Sequence, residues 1–347
     1  MDPGKPQQEL ADKAGITRSS VAVHISNLMK KGCITGKGYI VRTAPYVAVV
    51  GGVNMDIGAV SAGKLVARDS NPGHVTTSLG GVGRNIAHNL CLLGQQTAMV
   101  TVMGDDDFGR RVQENARDIG LDLSASAVLP DCRTGTYLYI CGPDGDMALA
   151  VNDMAIYDRM TPDFLRQRLD FINGADLVVL ETNLPEDSIR WLCDNCRAPI
   201  LADPVSTIKA EKLRPVLGKL AALKPNRLEA ELLSGMSIRT PEDAAQAARR
   251  LLDTGLGTVY ISLGAEGIYA ADRQGSTAWV PCARCHVANA TGGGDAVAAA
   301  LAARMVLGDS LADTRWAVGA GALACEGETT INPAMCWDNI ETILNRR

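Results

Sequence analysis

The chain has 347 residues, 46% hydrophobic and 21% charged, with a formal net charge of −5. That length can bury a full core and suits one large α/β domain with a small appendage. No apolar run approaches the roughly 18 residues of a membrane-spanning helix, and no signal segment opens the chain. A cytoplasmic location is expected, with no membrane partner. Ten cysteines are scattered through apolar segments and read as reduced thiols, not as a disulfide frame. Two C-x-x-C pairs, Cys193/Cys196 and Cys282/Cys285, stand too far apart for a compact zinc ribbon. His286 beside Cys285 invites a metal, but buried free thiols are the stronger reading.

Charge is spread unevenly. Residues 1–43 hold seven Lys/Arg and three Asp/Glu, a net of +4, which leaves −9 on the remainder. A basic head on an acidic body points to two parts with different partners. In the head, Gln7–Ala14 suits a short helix, Gly15 a tight turn and Thr17 the N-cap of a second helix. Ala11, Gly15 and Val21 fall at helix-turn-helix spacing: a small residue where the helices approach, a turn, and an apolar contact beneath. GCITGKGYIVR then reads as two short strands, a wing with Lys37 at its tip. Residues 1–43 are therefore expected to form a winged helix-turn-helix. A truncated or tag-derived start is expected, because MDPGKP leaves no room for the usual leading helix. Arg18, Lys30, Lys31 and Lys37 are the candidate DNA-phosphate contacts. The competing reading is a solvated helical cap whose lysines face water.

From residue 46 to 347 the chain alternates. YVAVVGGVNMDI is a buried strand running into a polar loop, Asn85–Leu93 fits a helix, TAMVTVMG a strand and Asp107–Ile119 a helix. DLVVLETNLP, PILADPVS, LAALKPN and TVYISLG are further apolar strands, each closing on a polar or Gly/Pro turn. This predicts an α/β fold with a mainly parallel sheet and helices on both faces. Ligands of such sheets sit beyond the strand carboxyl ends, where Asp56, Glu181, Asp203, Asn226 and Gly264 fall. Two stretches, about 58–79 and 133–153, break the alternation and predict a small β-lid over the open end.

Residues 290–296 read ATGGGDA. A helix start exposes free N–H groups and carries positive partial charge, so it binds anions, and glycines let the backbone come close to a phosphate. The Lys-Ser/Thr of a Walker loop is missing, so the backbone must hold the anion. Asp295 beside it then needs a task, and taking the proton of an attacking hydroxyl is a fitting one. The helix dipole is expected to keep Asp295 ionised, a weak base for a transfer that rests mostly on positioning. The plain alternative is a helix cap after a glycine turn. GGVGRN at 80–85 is a poor dinucleotide loop, because a good buried strand does not precede it and Asn85 takes the third glycine position. As a sugar clamp it works: Gly80 and Gly81 admit a hydroxyl-rich ring and Asn85 bonds it. Asn54 and Asp56 in GGVNMD suit ribose hydroxyls, or simply an Asx turn.

Taken in order, GGVNMD, LGGVGRNIAHNLCLLG, LKPNRLEAE, ISLGAEG and ATGGGDA resemble the ribokinase or PfkB family of carbohydrate and nucleoside kinases over about residues 46–345. DPVS, KPN and ETTINP look most like its pseudouridine kinase branch. The resemblance implies a ribokinase-like fold and an ATP- and Mg²⁺-dependent kinase acting on a nucleoside or sugar. Lid strands such as TYLYI expose apolar faces unless they meet a second copy or close over substrate, so a homodimer or a closing cover is expected. It implies Asp295 as base and the Gly292, Gly293 and Gly294 amides as the anion hole. Asn54, Asp56, Gly80, Gly81 and Asn85 would hold the sugar, with Glu181 nearby. Asn226 and Glu229 match an N-x-x-E motif that places Mg²⁺ through water, and Ser262, Gly264 and Gly267 would line the ATP side. Asn152 and Asp153 at the lid's edge are candidate base readers, or a turn. Two positions depart from the family pattern. Gly293 replaces a usual alanine. Asn289 stands where many members carry an Asp beside a monovalent-cation site, which weakens the case for K⁺. The expected activity is phosphorylation of a nucleoside 5′-hydroxyl, pseudouridine favoured, with inosine, uridine or a free sugar as alternatives. A regulator that uses the kinase body only to sense a ligand is the reading from another class; the intact Asp295, Asn226 and Glu229 favour the enzyme.

Overall fold

The structure is a computed structural model that describes residues 5–34, 45–308 and 310–346. The strands are β1 Tyr46–Val50, β2 Asn54–Ser61, β3 Gly73–Gly80, β4 Gln96–Val100, β5 Val102–Gly104, β6 Ala127–Leu129, β7 Gly135–Cys141 and β8 Met147–Asp153. They continue with β9 Leu177–Glu181, β10 Ile200–Asp203, β11 Ala222–Leu223, β12 Thr258–Ser262, β13 Ile268–Asp272 and β14 Thr277–Val280. Eight of them form one sheet in the order β14-β13-β12-β11-β10-β9-β1-β4. It is parallel from β4 to β12, and β13 and β14 add an antiparallel edge.

Strand β1 is buried along its whole length, as a strand covered on both faces must be. Val47 and Val49 join one core, Ala48 and Val50 the other. Over the first face lies the helix Gly293–Val306, packed between the helices Val82–Leu92 and Thr314–Cys325. Its alanines at 296, 298, 299, 300, 302 and 303 are each 0% exposed, because small side chains let three helices approach closely.

A second sheet, in the order β3-β2-β7-β8, forms the predicted lid. It starts earlier than the sequence suggests: Asn54 and Asp56 belong to strand β2, not to a polar loop after β1. The reason is pairing, since β2 finds β3 on one side and β7 on the other. Likewise TAMVTVMG divides into β4 and β5, and β5 leaves the main sheet to pair with β6.

In the head, the helices Gln7–Ala14 and Arg18–Lys30 flank a left-handed Gly15, with φ 65°. Thr17 Oγ1 accepts from Ser20 N at 3.1 Å, and Ala11 and Val21 are buried between the helices. Arg18, Lys30 and Lys31 are exposed. The predicted wing with Lys37 lies outside the described residues.

Candidate active site

The glycine run and the aspartate form one device. Gly292 caps the helix Gly293–Val306 in the left-handed region, φ 86°, and a Cβ there would strike the Thr330 carbonyl. Asp295 sits in the first turn and is half-buried as a residue. Asn85, 6% exposed near the start of Val82–Leu92, donates from Nδ2 to Asp295 Oδ2 at 2.9 Å. The sequence-based expectation of a firmly ionised weak base is corrected here. Burial first, and then the nearby Asp203, push Asp295 up to about 7, against the Asn85 hydrogen bond and Lys224, which favour the anion. Desolvation outweighs what a helix start can offer, and the outcome is a stronger base.

Two charged groups lie near Asp295: Asp203, which the sequence placed at a ligand-side strand end without giving it a role, and Lys224, which it did not single out. Asp203 closes β10 and pairs with Lys224 at 3.2 Å, their side chains 7% and 5% exposed. Burial pulls Lys224 down, yet Asp203, Glu229 and Asp295 outweigh it and hold the ammonium above its ordinary range. The signal was the polar pair of strand ends, LADP and LKPN, on neighbouring strands. Glu181 closes β9 and is 0% exposed. Its Oε1 accepts from Gly52 N at 2.5 Å and its Oε2 from Asn183 N at 3.0 Å, so its bonds hold the turn that leads into the lid. Burial raises it to about 7.

The lid and the turn after it carry the other residues expected from sequence to clamp a sugar. Asn54 Nδ2 donates to Asp56 Oδ1 at 2.5 Å. Gly80 pairs with Asn54, and a Cβ there would displace the Asp56 carboxylate. Gly81, φ 97°, turns the chain into the helix Val82–Leu92. Pairing runs Ser78↔Asp56↔Tyr137↔Asn152 across the sheet, so these four share one face. Asp153 pairs with Thr136 and falls on the opposite face, which separates the two base-reader candidates. Tyr137 and Tyr139 lie on the Asp56 face with ring centroids 5.8 Å apart.

Beyond β11 and β12, Asn226 caps the helix Arg227–Ser234. Its side chain accepts from Glu229 N at 3.0 Å, and Glu229 Oε2 accepts from Asn226 N at 2.8 Å. The N-x-x-E motif is thus also a capping box, a role its spacing advertises. Ser262 bridges to Asn226, and Gly264 and Gly267, φ 61° and 101°, make the turn that follows. Asn289 accepts from Thr291 N at 2.9 Å and donates to the Glu328 carbonyl at 3.3 Å.

The model of the pfkB family carbohydrate kinases matches residues 44–336. The chain belongs to that family. Pseudouridine kinase of Escherichia coli K12 is 36% identical over 305 residues, covering 87% of this chain and 97% of its own. The uncharacterized sugar kinase YeiI of the same organism is 35% identical over 342 residues, covering 97% and 94%, so that match runs through the basic head as well. A solved carbohydrate kinase from Agrobacterium tumefaciens superposes with a TM-score of 0.76 at 28% identity, over 87% of this chain and 97% of its own. A winged helix-turn-helix model matches residues 2–35.

As a member of the pfkB family the chain is a phosphotransferase with a hydroxyl acceptor, and the family implies ATP and Mg²⁺. The residues present fit both. Lys224 Nζ lies 3.8 Å from where a Cβ on Gly294 would stand, so a cation faces the glycine helix start. Among the described residues no three His, Cys, Asp or Glu side chains gather to cage a metal. One carboxylate plus waters and phosphates is how Mg²⁺ is usually held, and Glu229 suits that. All ten cysteines are free; Cys193 is buried as expected, but Cys282 is exposed. No described helix is long and apolar enough to cross a membrane.

Proposed function

We propose that this kinase transfers the γ-phosphoryl of ATP to the 5′-hydroxyl of a nucleoside, with pseudouridine the first candidate. Asp295 takes the hydroxyl proton as the oxygen attacks phosphorus. The Gly292, Gly293 and Gly294 amides receive the phosphoryl oxygens, and Lys224 offsets their charge. Asn54, Asp56, Gly80, Gly81 and Asn85 clamp the sugar, Glu181 holding the turn beneath them. Asn226, Ser262, Gly264 and Gly267 border the nucleotide. Glu229 beside Asn226 would hold Mg²⁺ through water, and the ion would supply charge neutralisation at the phosphates. Asn289, a neutral amide, attracts a cation less than a carboxylate at that position would, so no K⁺ requirement is proposed.

The observation that carries the nucleoside reading is the row Asp56, Tyr137, Asn152 on one face of the lid. Asp56 suits ribose hydroxyls. Tyr137 and Tyr139 beside it offer aromatic surface, and Asn152 a donor and an acceptor for a base edge. Free ribose would use only the first of these. The likeness to the E. coli pseudouridine kinase supports the choice of base. The test is an acceptor panel of pseudouridine, uridine, inosine, ribose and a hexose with Mg-ATP, following ADP release. Pseudouridine should show the highest kcat/KM. A higher value for ribose or a hexose than for every nucleoside overturns the substrate reading and leaves the family intact.

The exposed basic residues Arg18, Lys30 and Lys31 support a second partner, DNA, for the head. The outer face of the lid supports a homodimer.

A further inference from the structure

Arg84 is 7% exposed, and its partners are amide and carbonyl oxygens, not carboxylates. Nη1 donates to the Leu79 carbonyl at 3.1 Å and to Asn85 Oδ1 at 3.2 Å, and Nη2 donates to Asn115 Oδ1 at 2.8 Å. Three elements meet there: lid strand β3, the helix Val82–Leu92 and the helix Asp107–Asp118. Burying a guanidinium is costly. Burial lowers Arg84 to about 10, with Asp56 acting against the fall, so it remains a cation near neutrality. A side-chain amide has one acceptor end and one donor end. With Oδ1 of Asn85 engaged by Arg84, only Nδ2 is left to face Asp295, and Nδ2 is the atom that donates to it at 2.9 Å. The flipped amide would set an oxygen against the Asp295 carboxylate and an N–H against the guanidinium.

We infer that Arg84 is a positioning residue for Asp295: through Asn85 it fixes the amide orientation the base needs, and through the Leu79 carbonyl it ties that orientation to the lid. The inference rests on Asp295 being the base. It predicts a disturbance of the base at a residue that touches neither substrate nor Asp295. The groups that set the Asp295 titration are Asp203, Glu181, Lys224 and Asn85, and of these Arg84 acts on Asn85 alone.

The test measures kcat, KM for ATP and the pH profile with the best acceptor of the panel, and reads the Asp295 carboxyl by ¹³C NMR in the full chain. Arg84→Met should lower kcat about tenfold or more, leave KM for ATP within about twofold, and move the acid limb and the carboxyl titration to higher pH. Arg84→Lys should recover part of both. In the double variant with Asn85→Ala, kcat should equal that of Asn85→Ala alone, because the second change removes nothing further. Losses that multiply in the double variant, or a fall in kcat with an unmoved acid limb, overturn the inference. If Arg84→Met does not fold, Asn115→Leu removes one anchor of the same guanidinium, and an unmoved limb there overturns it equally. Asp295→Asn runs alongside. If that variant keeps its turnover, the reading of the base has failed; if it is dead while the Arg84 variants behave as wild type, only this inference has.

Discussion

Asn85 and Asp295, 210 positions apart in sequence, meet in a hydrogen bond of 2.9 Å at the junction of two helix starts. In the proposed mechanism one motif supplies the group that orients and the other the group that reacts. Asp295→Asn keeps an acceptor for Asn85 and removes the base. Turnover should fall by about 10³-fold or more while ATP and acceptor affinities stay within about threefold, as calorimetry would show. Near-normal turnover would refute the assignment.

Burial pushes Asp295 up to about 7, about where a general base is most useful. Activity should rise with pH through about 7 and level off above it, since the proton must be absent before the base can act. Stability runs the other way. The folded chain holds this proton at a higher pH than the unfolded chain, whose carboxyl has an ordinary value of 3.8. The contribution is therefore fully present below about 4 and is lost as pH rises toward 7. Asp295→Asn should gain roughly 2 kcal/mol over wild type at pH 8 and nothing near pH 4, by denaturant unfolding at both pH values. A gain that is independent of pH would show that the carboxyl is not perturbed.

The face of the lid that carries Asp56 should decide the acceptor. Tyr137→Ala and Asn152→Ala are expected to lower kcat/KM for the preferred nucleoside about tenfold each and to change that for ribose less than twofold. Asp153→Ala, on the other face, should do neither. Base contacts should act on kcat as well as KM, because remote binding fixes the hydroxyl against phosphorus. Equal losses for nucleoside and ribose would place these residues in the fold and not in recognition.

On the outer lid face Val75, Leu138, Leu149 and Val151 are 62%, 37%, 58% and 59% exposed, an apolar patch on a four-stranded sheet. Such a patch is expected to be covered by a second copy. Wild type should scatter light as a dimer, and Leu149→Lys with Val151→Glu as a monomer. A monomeric wild type at micromolar concentration contradicts this.

For the head, Arg18, Lys30 and Lys31 should make phosphate contacts, so DNA affinity must fall steeply with salt. Deleting residues 1–43 should abolish retardation of DNA and leave kinase turnover within about twofold. Absence of retardation on any genomic fragment at low salt would leave the head as a solvated cap.

What the sequence determined by itself is what short-range physics determines. Apolar runs closing on polar turns marked the parallel strands, and glycines before an alanine run marked a helix start fit for an anion. Ala11, Gly15 and Val21 marked two packed helices. Each of these follows from local propensity and from the periods of helix and strand. Tertiary structure decided the rest. Asp295 is not the weak base its helix start suggested, because burial and Asp203 come from elements distant in the chain. Asp56 sits on a lid strand because β3 and β7 pair with β2, and register alone puts Asn152 with it and Asp153 against it. Lys224 and Asp203 gain their significance from charges buried together, and Arg84 from the amide it holds. Burial, and the distance between groups far apart in sequence, are properties of the packed chain, and no local pattern of residues encodes either.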